Sequence, residues 1–178
     1  MSSIKGMDSL LKKIEELGGN SSSIMEKLIG KETKRVSGDA KDLCPVNYGE
    51  LRNSINTEVS NENGKIIGRV YTNNNHAAYV EFGTGPKGQE NSGVLPAEIR
   101  AQITYKADGW YIPADKIDPK DAEKYKFTKI TIKGMDFYYS RGQGAQPYLY
   151  PALKNNEKTI KLSIKKGLSD AIKVLGGK

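Results

Sequence analysis

Cys44 and His76 are the only thiol and the only imidazole in the 178-residue chain. A nucleophilic pair would need them in contact, with a third group orienting the ring. Cys44 sits at the end of an apolar helical pattern, just before Pro45, and His76 lies in an Asn-rich turn. The reading that fits is a core cysteine and a surface histidine. A zinc site lacks ligands unless carboxylates or other chains supply them. Asp115, Asp118, Asp121 and Glu123 cluster in sequence. They lack the Gly and closing Glu of a calcium loop, and lysines interleave them, so a solvated loop is expected. Gly83-Thr-Gly-Pro-Lys-Gly88 spells the letters of a dinucleotide fingerprint. That chemistry needs a strand before the loop and a helix after it. Gln89-Glu-Asn-Ser-Gly93 is a poor helix former, so a turn is expected instead, and no Gly-Lys-Ser/Thr makes it a P-loop. Glu50 and Glu81 remain. Glu81 stands between Tyr79-Val80 and Phe82, where a carboxylate is partly buried and wants a cation or backbone amides. Arg52 is the expected partner, within the chain or across a subunit boundary. The alternative for Glu81 is an ordinary outward-facing strand position. No catalytic constellation emerges, so the chain is read as a non-enzyme without cofactor or metal.

The elements that must position these residues follow from periodicity. The chain suits a single domain over 1–178, and a chain this long hides roughly two-thirds of its unfolded surface. An apolar fraction of 37% indicates a modest core with much polar surface, finished by neighbouring subunits or left as solvated loops. N-terminal helices are expected over about 4–44. Ile4, Met7, Leu10, Leu11, Ile14 and Leu17 set the first, ended by Gly18-Gly19. A Ser23/Glu26 capping box opens the second, carried by Met25, Leu28, Ile29, Val36, Ala40 and Leu43. Cys44-Pro45 stops it. A sheet core is expected over about 55–83. Ile55–Ser60 and Lys65–Thr72 flank Asn63-Gly64, a strong hairpin signal, while 77–82 reads equally as a third strand or a helical turn. Residues 86–144 read as a loop-and-hairpin insertion, loop-like over 84–100. Its β signals lie at 102–106, 110–113 and 126–133, and Phe137-Tyr138-Tyr139 closes it. A C-terminal helix is expected over about 151–175, with Pro151 in its first turn and Leu153, Ile160, Ile164, Leu168, Ile172 and Leu175 on one stripe. The class is α+β: a small antiparallel sheet packed against N-terminal and C-terminal helices, with a β-rich insertion.

Charge and targeting narrow the setting. The net charge is +7, and residues 154–178 carry seven Lys against Glu157 and Asp170. A nucleic-acid-binding module using that helix is therefore one reading. The other is a solvated face, since no aromatic residues interleave with those lysines as stacking surfaces. One cysteine rules out an intrachain disulfide framework. No apolar run nears the ~20 residues that span a bilayer, and none reads as a signal peptide. A reducing cytosol is the expected place of synthesis, and no membrane partner is expected.

Three short segments remain that chemistry does not explain: Pro45-Val-Asn-Tyr-Gly-Glu-Leu-Arg-Asn-Ser-Ile55, Tyr79-Val-Glu-Phe-Gly-Thr-Gly85 and Gln146-Pro-Tyr-Leu-Tyr-Pro-Ala-Leu153. Each joins apolar anchors to Gly or Pro, which fix where a chain turns and what it packs on. Together, in this order, they resemble the neck and tail-completion proteins of tailed bacteriophages, small head–tail joining components. The first block matches that pattern at Pro45, Gly49, Leu51, Ser54 and Ile55, with Asn47 and Tyr48 in place of the usual Asp-Thr. The second is met in full from Tyr79 to Thr84, and the third from Pro147 to Leu153, with Gly142-Gln143-Gly144 before it.

The resemblance implies a virion structural protein without catalytic activity, assembled in the bacterial host cytoplasm. It implies a homo-oligomeric ring between the portal side and the tail, touching connector or head-closure and tail-terminator or tube proteins. DNA would pass through the lumen without being read. A prophage or phage-tail-like particle is an equal setting. Arg52, Tyr79, Glu81, Phe82, Gly83, Gly85, Tyr148 and Pro151 join Pro45, Gly49, Leu51 and Pro147 as candidate interface or motif residues. Gly83 and Gly85 are expected to allow close backbone approach at a subunit contact. Tyr79, Phe82 and Tyr148 are expected to anchor it.

Overall fold

The computed structural model describes residues 21–176. The helix expected over 4–17 lies outside the described residues. The chain divides into two compact units. One takes the chain up to Asn74 and again from Tyr148, and the other is Asn75–Pro147.

The first unit is built on two long helices and a hairpin. Helix α1 (Ser21–Leu43) is already formed at Ser21, so Ser23 lies inside it and does not cap it. It runs unbroken through Gly30 and Gly38 and ends before Cys44-Pro45, as the proline requires. A one-turn helix, α2 (Glu50–Asn53), precedes strand β1 (Ile55–Glu62). β1 pairs antiparallel with β2 (Lys65–Thr72) in full register, Ile55 opposite Thr72 and Glu62 opposite Lys65. Asn63 and Gly64 take φ of 53° and 80°, the double positive φ of the expected tight turn. The C-terminal helix, α7 (Leu149–Gly176), begins two residues before Pro151. Met25, Ile164 and Leu168 form the centre of the core, with Ile24, Leu28, Ile29, Ile66, Ile160 and Ile172 against it. Full burial of a side chain such as Leu168 contributes about 2–3 kcal/mol. Among the members of the α7 stripe whose side chains are described, Leu153 is the one left in solvent. Helix and hairpin approach closely at Gly68, where a Cβ would overlap the Thr33 side chain.

A polar seam crosses the α1–α7 contact. Ser163 donates to the buried Glu32 (2.6 Å), and Asn156 donates to Asp39 (2.5 Å) and to the carbonyl of Ala152. Glu32 falls seven residues before Asp39, and Asn156 seven before Ser163, so the pairs recur at heptad spacing along antiparallel helices. Burial alone would raise the Glu32 carboxyl. The hydrogen bonds from Ser163 and Arg35 outweigh it and hold the group below its ordinary value.

The second unit carries helix α3 (Ala77–Phe82), helix α4 (Gly85–Glu90), a 3₁₀ turn at Ser92–Val94 and helix α5 (Ala97–Arg100). Strand β3 (Trp110–Pro113), a 3₁₀ turn at Ala114–Lys116, helix α6 (Pro119–Lys124), and strands β4 (Thr128–Ile132) and β5 (Met135–Ser140) complete it. β5 is central, with β3 and β4 antiparallel on either side. The ambiguous 77–82 segment is thus helical. Residues 84–100, expected as loop, contain two short helices and a 3₁₀ turn. The β signal at 102–106 forms no strand: β3 pairs with β5 instead, and Tyr105 donates its hydroxyl to the Phe82 carbonyl. The 115–123 cluster is not a bare loop. Asp118 accepts from the Lys120 amide and caps α6, with Pro119 in its first turn.

Candidate assembly surface

The three motifs fold as three joints. In the first, Gly49 takes φ 83° and starts α2, a conformation costly to any residue with a Cβ. Pro45 and Leu51 are half-buried beside it and Ile55 is buried. Ser54 shares a 2.6 Å hydroxyl contact with Thr72 and donates to Leu51 O, closing the open end of the hairpin. Arg52 is exposed and reaches Asp42 at 3.4 Å. The charged partner identified for Arg52 is therefore in its own unit, whereas Glu81 belongs to the other.

The second motif is locked to the stretch just before the third. Thr84 donates its amide to Gln143 O (2.8 Å), and Lys87 to Arg141 O (3.1 Å). Gln143 answers with its amide to Thr84 Oγ1 and its side chain to Tyr79 O, and Gln146 donates to Val80 O. Gly83 has φ 77°, and a Cβ there would lie 2.7 Å from the Ala145 nitrogen. Gly85 has φ 59°, and its Cβ would lie 2.6 Å from the Trp110 ring. Gly142, at φ 84°, would drive a Cβ into Thr84 O. The close approach that Gly83 and Gly85 permit is thus made within the chain. Glu81 is 4% exposed, a buried helical carboxylate and not an outward-facing strand residue. Phe82 is half-buried.

In the third motif Pro147 is half-buried, Tyr148 is fully buried and Pro151 lies in the first turn of α7. Tyr148 is therefore spent within the chain. Each motif nevertheless leaves a large apolar side chain in solvent: Tyr48 is 79% exposed, Tyr79 56% and Leu153 56%. Tyr48 and Leu153 were not among the anchors expected. Leu153 lies on the apolar stripe of α7 and Tyr48 between elements, so periodicity marked neither as exposed.

Little in this geometry supports catalysis. An open cleft of about 800 Å³ in the second unit is lined by Tyr79, Trp110, Tyr125, Phe127 and Gln143, among others. Apart from tyrosines, Lys87 is its one ionisable side chain, so it holds no acid–base pair. The Gly83–Gly88 segment follows helix α3 where the fingerprint needs a strand, its residues from Gly85 on lie in α4, and the space beside its glycines is filled by the chain itself, leaving no cradle for a pyrophosphate. Cys44 is buried, as expected, and His76 is exposed. Among the described residues no group of three or more His, Cys, Asp or Glu is placed to hold a metal ion. No helix among them is long and apolar enough to cross a membrane.

Folded joints that tie distant parts of a chain together, with aromatic residues left outside them, describe a structural scaffold. Residues 8–83 match the model of the HK97-gp10-like family, described as "Bacteriophage HK97-gp10, putative tail-component". The match spans the first motif and most of the second, and is consistent with the resemblance to neck and tail-completion proteins. No curated protein and no solved structure gives a significant match.

Proposed function

We propose that the chain is a structural protein of a tailed phage, a prophage or a phage-tail-like particle. It assembles into a homo-oligomeric ring at the neck or tail-completion position. It acts as a mechanical adaptor between the head connector and the tail, and DNA passes through its lumen without sequence readout. The single observation carrying the reading is that each motif holds its turn-forming residues buried or half-buried and leaves a large apolar residue, Tyr48, Tyr79 or Leu153, at the surface. Aromatic residues presented on rigid joints are typical interface anchors. The family match over residues 8–83 supports the same class. The rival nucleic-acid reading is weakened on α7 itself. Glu157 accepts from both Lys154 (3.0 Å) and Lys161 (2.7 Å), so part of the basic stripe is already paired.

The test is to delete the chain from its parent phage and image the lysate, with the protein located in intact particles by labelled cryo-electron microscopy. The expected result is unjoined heads and tails, with the label at their junction in the wild type. Intact, infectious particles without the protein would overturn the proposal. A Tyr48→Ala, Tyr79→Ala double variant should fold normally yet enter particles poorly.

A further inference from the structure

Four lysines line the outer face of α1: Lys27, Lys31, Lys34 and Lys41. At 3.6 residues per turn they fall, with Gly38, inside roughly 80° of arc, on the side away from the buried Met25, Val36 and Ala40. An acid three or four residues from a helical lysine would pair with it. None of the four has one at any of those positions, and among the described residues none forms a salt bridge. The acids nearby are already held. Glu32 accepts from Ser163 and Arg35, Asp39 from Asn156 and Asp42 from Arg52. Arg69 holds Glu62 and stands opposite Glu58 in the hairpin register. Glu26, exposed near the start of α1, is the one acid of the helix with no such bond among the described residues. Every arginine of this unit is thus tied to a carboxylate, and the α1 lysines are left over. A stripe that merely keeps a helix in water is built differently, as α7 shows: Glu157 sits among its lysines and binds Lys154 and Lys161.

Toward the end of α1 the stripe borders a groove of about 350 Å³ beside β1. Lys34 and Lys41 wall it, with Ser37 and Gly38 between them and Asn56 and Thr57 on the strand. Its polar side chains are cations, hydroxyls and one amide, and no carboxylate lines it. Nothing comes within 4 Å of the Cβ that Gly38 lacks, so a ligand can approach α1 closely there. Such a donor set suits an anion whose charges are spread along a line. Lysine is a point charge without the planar fork that arginine offers a carboxylate, and it binds phosphate well. The stripe holds no large apolar residue to enter a bilayer and no aromatic ring to stack an unpaired base. The chemistry left is the phosphate backbone of a duplex.

We propose that the Lys27, Lys31, Lys34 and Lys41 stripe, with the groove beside β1, binds the backbone of duplex DNA without reading its sequence. From Lys27 to Lys41 the helix rises about 21 Å, the rise of about six base pairs, so each lysine has a phosphate to meet. In the ring this is the face that the passing DNA touches. The inference deepens the adaptor reading and rests on it for the identity of the polyanion. The contact itself is tested on the isolated chain.

The test titrates the full chain into a short fluorescent duplex of mixed sequence, at salt from about 50 to 200 mM. Log affinity should fall linearly with log salt, with a slope of about −0.9 for each lysine engaged and roughly −3 to −4 in all. A Lys34→Gln, Lys41→Gln double variant should flatten that slope by about two and weaken binding about tenfold or more at the lowest salt. Gly38→Glu sets an acid within reach of both lysines, in open space. It should weaken binding several-fold yet raise the melting temperature, because glutamate favours helix over glycine. Lys158→Gln with Lys165→Gln on α7 should leave the affinity largely unchanged. A slope untouched by the α1 variants, a loss confined to the α7 pair, or equal binding of polyglutamate or phosphatidylserine vesicles would overturn the site. So would no duplex binding at the lowest salt, and the adaptor would then stand with a lumen that does not touch DNA. Particles intact without the protein would remove the adaptor, while salt-dependent binding lost in the α1 variants would still uphold the site.

Discussion

Leu168 and Gly83 mark two ways of holding a chain together. In the unit containing α1, α7 and the β1–β2 hairpin, cohesion comes from side chains. Met25, Ile164 and Leu168 are buried together, and a Cβ at Gly167 would run into Leu28, so the helices pack as closely as glycine allows. In the unit spanning Asn75–Pro147 the fully buried apolar residues are few and mostly small: Leu95, Ala122 and Ala145. Cohesion there comes from backbone laid against backbone, through Gly83, Gly88 and Gly142, with hydrogen bonds between 79–87 and 141–146. The first kind of structure tolerates exchange of similar-sized apolar groups. The second tolerates no added atom at its contacts, because the neighbour is main chain and cannot rotate away.

The largest effect should follow from Gly83→Ala. It adds a Cβ at positive φ and presses it on the Ala145 nitrogen, a loss of about 3–5 kcal/mol. Hydrogen exchange should show protection lost across 75–147 and kept in α1 and α7. Equal loss along the whole chain would break the distinction between the units. Leu168→Ala should come next, at about 3 kcal/mol. It should release amides of α1 and α7 first, and calorimetry should show a lowered transition.

Ser163→Ala should cost about 1–2 kcal/mol, because the buried Glu32 loses a donor. It also sharpens the comparison through pH. The folded protein holds Glu32 below its ordinary value of 4.5. The stability this provides is therefore complete above that pH and is lost as the pH falls through the lower folded value. In Ser163→Ala the acid limb of the melting curve should shift to higher pH. An unchanged limb would mean the seam does not contribute.

The smallest effect should be that of Glu157→Gln. Its carboxyl is lowered to about 2 by hydrogen bonds from Lys161 and Lys154. All three groups stand in water, where such pairs are screened. No shift in melting temperature should be measurable at neutral pH. A clear loss would show that α7 depends on its surface as well as its core.

What could be read in advance divides along the same line. The α1 and α7 stripes and the Asn63-Gly64 hairpin were legible because apolar period and turn chemistry are written in consecutive residues. The α+β class followed from them. The second unit was legible only in part. β3 was seen at Trp110–Pro113, but its partners lie 24 to 30 residues away, and pairing across that distance leaves no local trace. Gly83-Thr-Gly85 read as a turn because glycine looks the same whether it gives freedom or yields room. Asp118-Pro119, a readable helix start, was overshadowed by the acids around it. Glu32 sits on the buried stripe between Ile29 and Val36, an oddity that period alone could have flagged. Its partner Ser163 could not be inferred without the fold.

The ring of Trp110 lies where a Cβ on Gly85 would fall, with the Lys106 ammonium 5.0 Å from the ring centre. It is the sole tryptophan of the chain. Intrinsic fluorescence excited at the indole band therefore reports on the glycine-built half alone. Any dye-free shift in its emission during particle assembly would be a local optical signal, obtained without labelling, of what docking does to that half.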